Sequence, residues 1–304
     1  MPQKKIEFRQ QLGVGDIVTF YFDFLKQNFK SYLNIFISYN GIFILAFLGI
    51  SYLLITGFIG MANEDTMSEM ESGLYVGFGF IAFAIVFIIV AALNYSLSAA
   101  YVSNYVTNDT IEVDKTKVWK QVKDNFSNIV LFVLLLVVIY VGFLIVSVIL
   151  AIIPIIGSIA QSILNFAVSG WFGVSFMVMI HQKQNITNSF SEGWNLIFKN
   201  FWKTVGVNFI LSLLNYLLIF LILSIPGILI GFYSFHAVDS GLDMSNSIVV
   251  KIIWIIALWL VLIVFTLFNS LMQFVNSILY FSLHEQTYND FIRAKIEEIG
   301  EDIE

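Results

Sequence analysis

Cysteine is absent from the 304 residues, histidine occurs three times, and only 12% of the side chains carry charge. Without cysteine there is no disulfide framework, no thiolate metal site and no thiol nucleophile. A soluble domain carries roughly 25% charged residues, so half that share means that most of the surface does not meet water. The sequence has no P-loop, no G-x-G-x-x-G, no G-x-S-x-G and no H-E-x-x-H, the short signatures of nucleotide binding, serine hydrolysis and zinc proteolysis. His181, His236 and His284 fall on two sides by the topology below, with no pair at metal-ligand spacing, and His284-Glu285 is expected to be solvated. The net charge of −6 argues against a nucleic-acid partner. No cofactor is implied.

What fills the chain is apolar: 59% hydrophobic residues, 31 of them phenylalanine, at a mean hydropathy of +0.86. About 20 apolar residues span a bilayer as a helix. The stretches 32–62, 73–106, 128–180, 204–235 and 247–283 are all long enough. The third suffices for two spans and breaks at Pro154 to Gly157, which makes six helices. Pro226 lacks an N–H and is expected to kink or divide its helix, leaving 227–235 as a short extension. The first stretch has no small-residue cleavage site and reads as a retained helix.

Of the 15 Lys and Arg residues, 14 lie in four polar segments. These are the N-terminal segment (Lys4, Lys5, Arg9, Lys26, Lys30), 107–127 (Lys115, Lys117, Lys120, Lys123), 181–203 (Lys183, Lys199, Lys203) and the tail (Arg293, Lys295). The alternate loops hold Glu64, Asp65, Glu69 and Glu71, no charge at 154–157, and Asp239 and Asp243. Lys and Arg mark cytoplasmic loops, so both termini are expected on the cytoplasmic side of a bacterial inner membrane. Lys251 is the exception, placed where its stem can snorkel to headgroups.

A short motif recurs ahead of three spans: Leu25-Lys26-Gln27-Asn28-Phe29, Val122-Lys123-Asp124-Asn125-Phe126 and Ile197-Phe198-Lys199-Asn200-Phe201. Each copy precedes two spans, and each second span ends in a polar segment, Ser98 to Asn108, Ser175 to Asn188 and Ser277 to Asn289. The stretches before the spans have helical periodicity. In the first, Ile17, Phe20, Tyr21, Phe24 and Leu25 oppose Asp16, Thr19, Asp23, Lys26, Gln27 and Lys30. Val118, Trp119, Val122 and Phe126 oppose Lys117, Lys120, Gln121 and Asp124 in the second. In the third, Trp194, Ile197, Phe198 and Phe201 oppose Glu192, Asn195, Lys199 and Lys203, with Ser189 and Glu192 as a capping box. Aromatic amphipathic helices with Lys on the polar face lie in the membrane interface. The expected fold is therefore an all-α integral membrane protein of six transmembrane helices in three hairpins, each preceded by a cytoplasmic interfacial helix. It forms a single membrane domain, 1–304, with repeat units near 14–109, 110–188 and 189–290. The segment from 289 reads as a short helix that docks on the cytoplasmic face or on a partner, with a cytoplasmic tail over 291–304.

No Asp, Glu, Lys, Arg or His stands in the middle of a predicted span, where pumps and ion-coupled carriers keep them. The polar residues there are neutral, and such side chains glue helices together or line a cavity. Asn269, Gln273 and Asn276 form the best cavity run. Lys26, Asn28, Lys123, Asn125, Lys199 and Asn200 are the residues placed to meet lipid headgroups or a partner. Gly227 to Gly231 and Gly73 to Gly77 match the small-x-x-x-small packing pattern.

The repeated unit, an aromatic amphipathic helix ending in Lys-x-Asn-Phe and followed by paired spans, resembles the membrane domain that precedes some bacterial glycerophosphoryl diester phosphodiesterases. Stand-alone versions of it are common in Bacteroidota. The resemblance covers roughly residues 14–290, and the family's catalytic portion is a separate metal-binding barrel that nothing here matches. It implies a membrane domain without activity, in an assembly with other inner-membrane proteins and an AAA-type ATPase system. Two functions follow as expectations: a non-catalytic structural subunit of a bacterial inner-membrane complex, or a protein that binds or moves a lipid or other amphiphile through a laterally open cavity. An intramembrane enzyme is disfavoured, since no acid, base, nucleophile and metal set converges.

Overall fold

A computed structural model describes residues 5–62, 67–108, 111–239, 247–293 and 296. Every regular element among them is helical. In chain order they are α1 (Val14–Ala62), α2 (Glu69–Thr107), α3 (Lys115–Asp124), α4 (Phe126–Ala151), α5 (Ile156–Gln182), α6 (Ile186–Lys199), α7 (Phe201–Asp239) and α8 (Ile248–Tyr288). Six of them, α1, α2, α4, α5, α7 and α8, are long and apolar enough to cross a membrane, which makes the chain a multi-pass membrane protein. Glu64, Asp65, Asp243, Lys4, Lys295 and most of the tail lie outside the described residues.

The expected break after the third span is present. Helix α4 ends at Ala151 and α5 opens at Ile156, with Ile155 at a positive φ of 61°. A Cβ on Gly157 would stand 1.8 Å from the Leu150 carbonyl oxygen, so only glycine fits where the chain reverses. Two expectations are corrected. The first amphipathic stretch is not a separate helix: α1 runs unbroken through 49 residues, about 70 Å at 1.5 Å per residue. Nor does Pro226 divide α7, which continues through it for 39 residues. The lost N–H and missing Cβ atoms open a cavity instead, of about 380 Å³, beside Pro226, Gly227, Gly231 and Trp254.

The helices group into two compact units. The first holds the chain up to Ile35, residues 95–213, and everything from Leu271. Its core is aromatic. Phe274 takes Tyr32 edge-on at 4.5 Å and Tyr101 at 5.9 Å, while Phe24 meets Tyr105 at 5.2 Å. The extended N-terminal segment adds Phe8, which stands edge-on to Phe20 and Phe24 at 5.0 Å each. Helix α6 packs mainly on α5, and α4 on both α5 and α6. The second unit holds residues 36–94 and 214–270. Phe47, Ile50, Leu54 and Val90 form its centre, with Phe83, Val86, Trp259 and Leu262 packed around them. Asn40 donates to the Asn94 amide oxygen at 2.8 Å, and the Trp259 indole donates to the Ile44 carbonyl at 2.8 Å. Lys251 does not simply snorkel: its ammonium sits 5.4 Å over the Tyr52 ring.

Of the paired glycines expected to pack helices, Gly73, Gly77, Gly227 and Gly231 face open space. Close approach happens elsewhere. A Cβ on Gly193 of α6 would meet the Ser175 Oγ at 2.1 Å and the Ser175 Cα of α5 at 3.0 Å. Gly193→Ala should therefore push α6 off α5 and cost about 1–3 kcal/mol, read as a lower melting temperature in detergent. Gly142→Ala, with nothing within 4 Å, should leave that temperature unchanged.

Helix α3 is capped by Asp114, whose carboxylate accepts the Thr116 N–H at 2.8 Å and the Thr116 hydroxyl at 2.7 Å. The Thr116 hydroxyl, then its amide, hold the Asp114 carboxyl below its ordinary value of 3.8. A carboxyl depressed in the folded state stabilises the fold above its unfolded value and loses that contribution as pH falls through the folded one. The protection of the Thr116 amide, relative to its intrinsic exchange rate at each pH, should fall below about pH 4, and Asp114→Asn, which keeps the acceptor, should remove that fall in protection.

Candidate functional site

The three Asn-Phe junctions, each with a lysine one or two residues before the asparagine, share one hydrogen bond. Asn28, Asn125 and Asn200 each turn the side-chain amide back on their own helix and donate to the carbonyl four residues earlier, Phe24, Gln121 and Leu196, at 3.0, 2.9 and 3.1 Å. In the second and third copies the helix stops at that asparagine. In the first it continues, because Asn28 is buried and its amide oxygen accepts the Tyr101 hydroxyl at 3.1 Å. One amide N–H of each asparagine is thus committed to its own helix. Lys26, Lys123 and Lys199 are all exposed, each on its own helix.

The amphipathic faces hold in part. Ile17, Phe20, Tyr21 and Phe24 are buried, and the polar residues Asp16 and Lys30 opposite them are exposed. In α3, Val118 and Val122 are buried and Lys117, Lys120 and Lys123 exposed, but Phe126 is 66% exposed. In α6 the buried face is rotated from the expected one. It consists of Ser189, Phe190, Gly193, Leu196 and Ile197, leaving Trp194 and Phe198 exposed. The reason is Gly193, whose missing side chain admits Ser175. The cap is also one turn earlier than expected. Asn185 accepts the Asn188 N–H at 2.8 Å, and Ser189 sits inside the helix, its hydroxyl donating to the Asn185 carbonyl at 2.8 Å.

Asn269, Gln273 and Asn276 do not share a surface. Gln273 and Asn276 are fully buried in the first unit and pressed against α5. Gln273 donates to the Gly173 carbonyl at 3.2 Å, Asn276 donates to the Tyr95 hydroxyl at 3.2 Å, and a Cβ on Gly173 would overlap the Asn276 amide. Asn269 belongs to the second unit and is half-buried, donating to the Phe265 carbonyl at 3.1 Å. The pattern is that of neutral polar groups joining helices.

His284-Glu285 is not the solvated pair expected. Glu285 is 2% exposed, and its two carboxylate oxygens accept the N–H groups of Phe291 and Ile292 at 3.1 and 3.2 Å. A buried carboxylate therefore caps the short helical segment that opens after Asn289, itself at a positive φ of 56°. The N-terminal segment ties to the same place. Leu12 donates its N–H to the Ser282 hydroxyl at 3.1 Å, and Gln11 bonds the Glu285 carbonyl and the Asn289 side chain. Around these anchors Arg9, His181, Tyr280, His284 and Asp290 line a cavity of about 280 Å³. Sequence reading missed this convergence because its members come from distant segments. The Asn-Asp pair after α8, a turn signal, was the one available hint. Among the described residues, no group of three His, Asp or Glu has the arrangement of a metal site.

Glu285→Ala should leave two amide N–H groups without an acceptor, a local cost of about 1–3 kcal/mol, seen as faster hydrogen exchange at Phe291 and Ile292. Glu285→Gln, which keeps one oxygen, should fall between. No family model matches the chain, and neither the curated proteins nor the solved structures give a match.

Proposed function

We propose that this chain is a non-catalytic structural subunit of a bacterial inner-membrane protein complex. The reading places both termini and the lysine-bearing segments in the cytoplasm, by the positive-inside bias. It arranges the six spans as three hairpins, α1–α2, α4–α5 and α7–α8. The second and third are preceded by amphipathic helices at the interface, α3 and α6, and in the first the amphipathic stretch is the start of α1 itself. One observation carries it. The most apolar stretches of α4 and α7 are only 11% and 6% buried, while the ends of α2, α5 and α8 in the first unit pack around buried neutral polar groups such as Ser98, Ser175, Gln273 and Asn276. Such a molecule combines a firm lysine-bearing body with long apolar helix faces free for neighbours in the bilayer. Exposed Trp194, Phe198 and Trp202 beside Lys199 suit an interfacial belt.

The resemblance to the membrane domain of the glycerophosphoryl diester phosphodiesterase family fits this reading. It brings with it other inner-membrane proteins and an AAA-type ATPase system as proposed partners. A second reading, binding or movement of a lipid or other amphiphile, is favoured by one specific feature. The cavity of about 380 Å³ between α7 and α8 is almost wholly apolar and large enough to take part of an acyl chain.

The test is purification of the tagged full chain from its native membrane in a mild detergent after in-membrane crosslinking. A partner membrane protein should co-purify in fixed ratio, with crosslinks on α4 and α7. A chain that emerges alone, and that moves labelled lipid between leaflets of reconstituted vesicles, would replace the first reading with the second.

A further inference from the structure

The cavity at the ends of α5 and α8 gathers polar groups whose hydrogen-bonding capacity is largely unspent. The Arg9 guanidinium lies 6.0 Å from the centre of the Phe291 ring, and among the described residues its N–H edge meets no acceptor. His181 uses Nδ1 on the Ser103 hydroxyl at 3.0 Å, which leaves Nε2. The Tyr280 hydroxyl accepts from Gln182 at 2.8 Å and keeps its proton. His284 stacks against the rings of Tyr280 and Tyr288, with centroids 5.7 and 4.9 Å away. Asp290 is exposed on the same wall, and the charge of Glu285 lies beside it.

This combination is selective. A guanidinium held near an aromatic ring, with no acceptor among the described residues on its N–H groups, can make bidentate contact with an oxyanion. A simple anion would also face the carboxylates of Glu285 and Asp290. A simple cation, though suited to those carboxylates and to the aromatic walls, would face Arg9. A ligand carrying both charges meets neither conflict. Three donors, on Arg9, His181 and Tyr280, match the three outward oxygens of a phosphate monoester, and the two non-bridging oxygens of a diester, tetrahedral and each able to accept twice, can also take all three. The volume of about 280 Å³ sits at the lower edge of small-molecule pockets, about 300 Å³ and up, which limits the ligand to something the size of a headgroup.

We propose that this cavity binds a phosphoethanolamine group, phosphate to Arg9, His181 and Tyr280, ammonium to Asp290. The group is supplied either free or as the headgroup of phosphatidylethanolamine. The site stands on its own geometry and does not depend on the chain being a structural subunit.

The experiment uses the purified full chain. One arm titrates phosphoethanolamine, inorganic phosphate and ethanolamine into the detergent-solubilised protein by calorimetry. The other measures lipid retained on release from nanodiscs of phosphatidylcholine containing either phosphatidylethanolamine or phosphatidylglycerol. Arg9→Gln and Asp290→Asn, both at exposed positions, are compared with Lys117→Gln as a distant control, with melting temperatures verifying the fold. A free-ligand site should bind phosphoethanolamine, each half-ligand about tenfold or more weaker, and each variant should lose about tenfold, the loss of one charged hydrogen-bonded contact. A headgroup site should show selective retention of phosphatidylethanolamine that both variants abolish and the control does not. Phosphate alone binding as tightly as phosphoethanolamine would overturn the proposal. So would retention unaltered in both variants, or no binding in either arm.

Discussion

Hydrocarbon offers no hydrogen-bond partner, so every backbone N–H and C=O within it must be satisfied by the segment that carries it. That requirement shapes this chain more than any side-chain contact. It demands helices, and it makes an ionised group at mid-depth expensive, so the polar residues of the spans are amides and hydroxyls. It also explains their bonding. Asn40, Asn208 and Asn269 donate to the carbonyl one turn back, at 2.9 to 3.1 Å. An amide that folds onto its own helix satisfies a donor in an environment with few acceptors, at little loss of helix continuity.

The same bond at the repeated junctions produces two outcomes, and the difference is tertiary. Where the asparagine is half-exposed, as at Asn125 and Asn200, one helix ends there and the next begins. Where it is buried and its oxygen is taken by Tyr101, as at Asn28, the helix runs on. The Asn-Phe junction is therefore permissive of a break and does not compel one. In the first copy the helix is continuous, and its start is held by Phe8 among Phe20, Phe24 and Tyr105.

How much of this was legible in the sequence depends on the range of the physics involved. The spans were, since hydropathy acts over about 20 residues and no tertiary contact reverses it. The reversal at Pro154 to Gly157 was also legible, because proline lacks a donor and glycine alone tolerates the approach to Leu150. The buried face of α6 was only partly so. Apolar periodicity favoured Trp194 and Phe198, yet Gly193 governs the packing through an atom it does not have. Nor could local pattern show that Glu285 is a buried cap. Its acceptor role depends on a chain reversal at Asn289 that brings two N–H groups back to it.

Helix length carries the last step. A bilayer core is about 30 Å thick and is crossed by about 20 residues, while α1 has 49, α7 has 39 and α8 has 41. About half of each long helix is therefore surplus to crossing, and the burial pattern shows where the surplus goes. In α8 the buried residues crowd the second half, Leu271 to Leu283, while Ile252, Ile256 and Leu260 nearer its start are exposed. The surplus of α1 up to Ile35, of α7 up to Leu213 and of α8 from Leu271 belongs to the first unit, which also holds α3, α4, α5 and α6 whole.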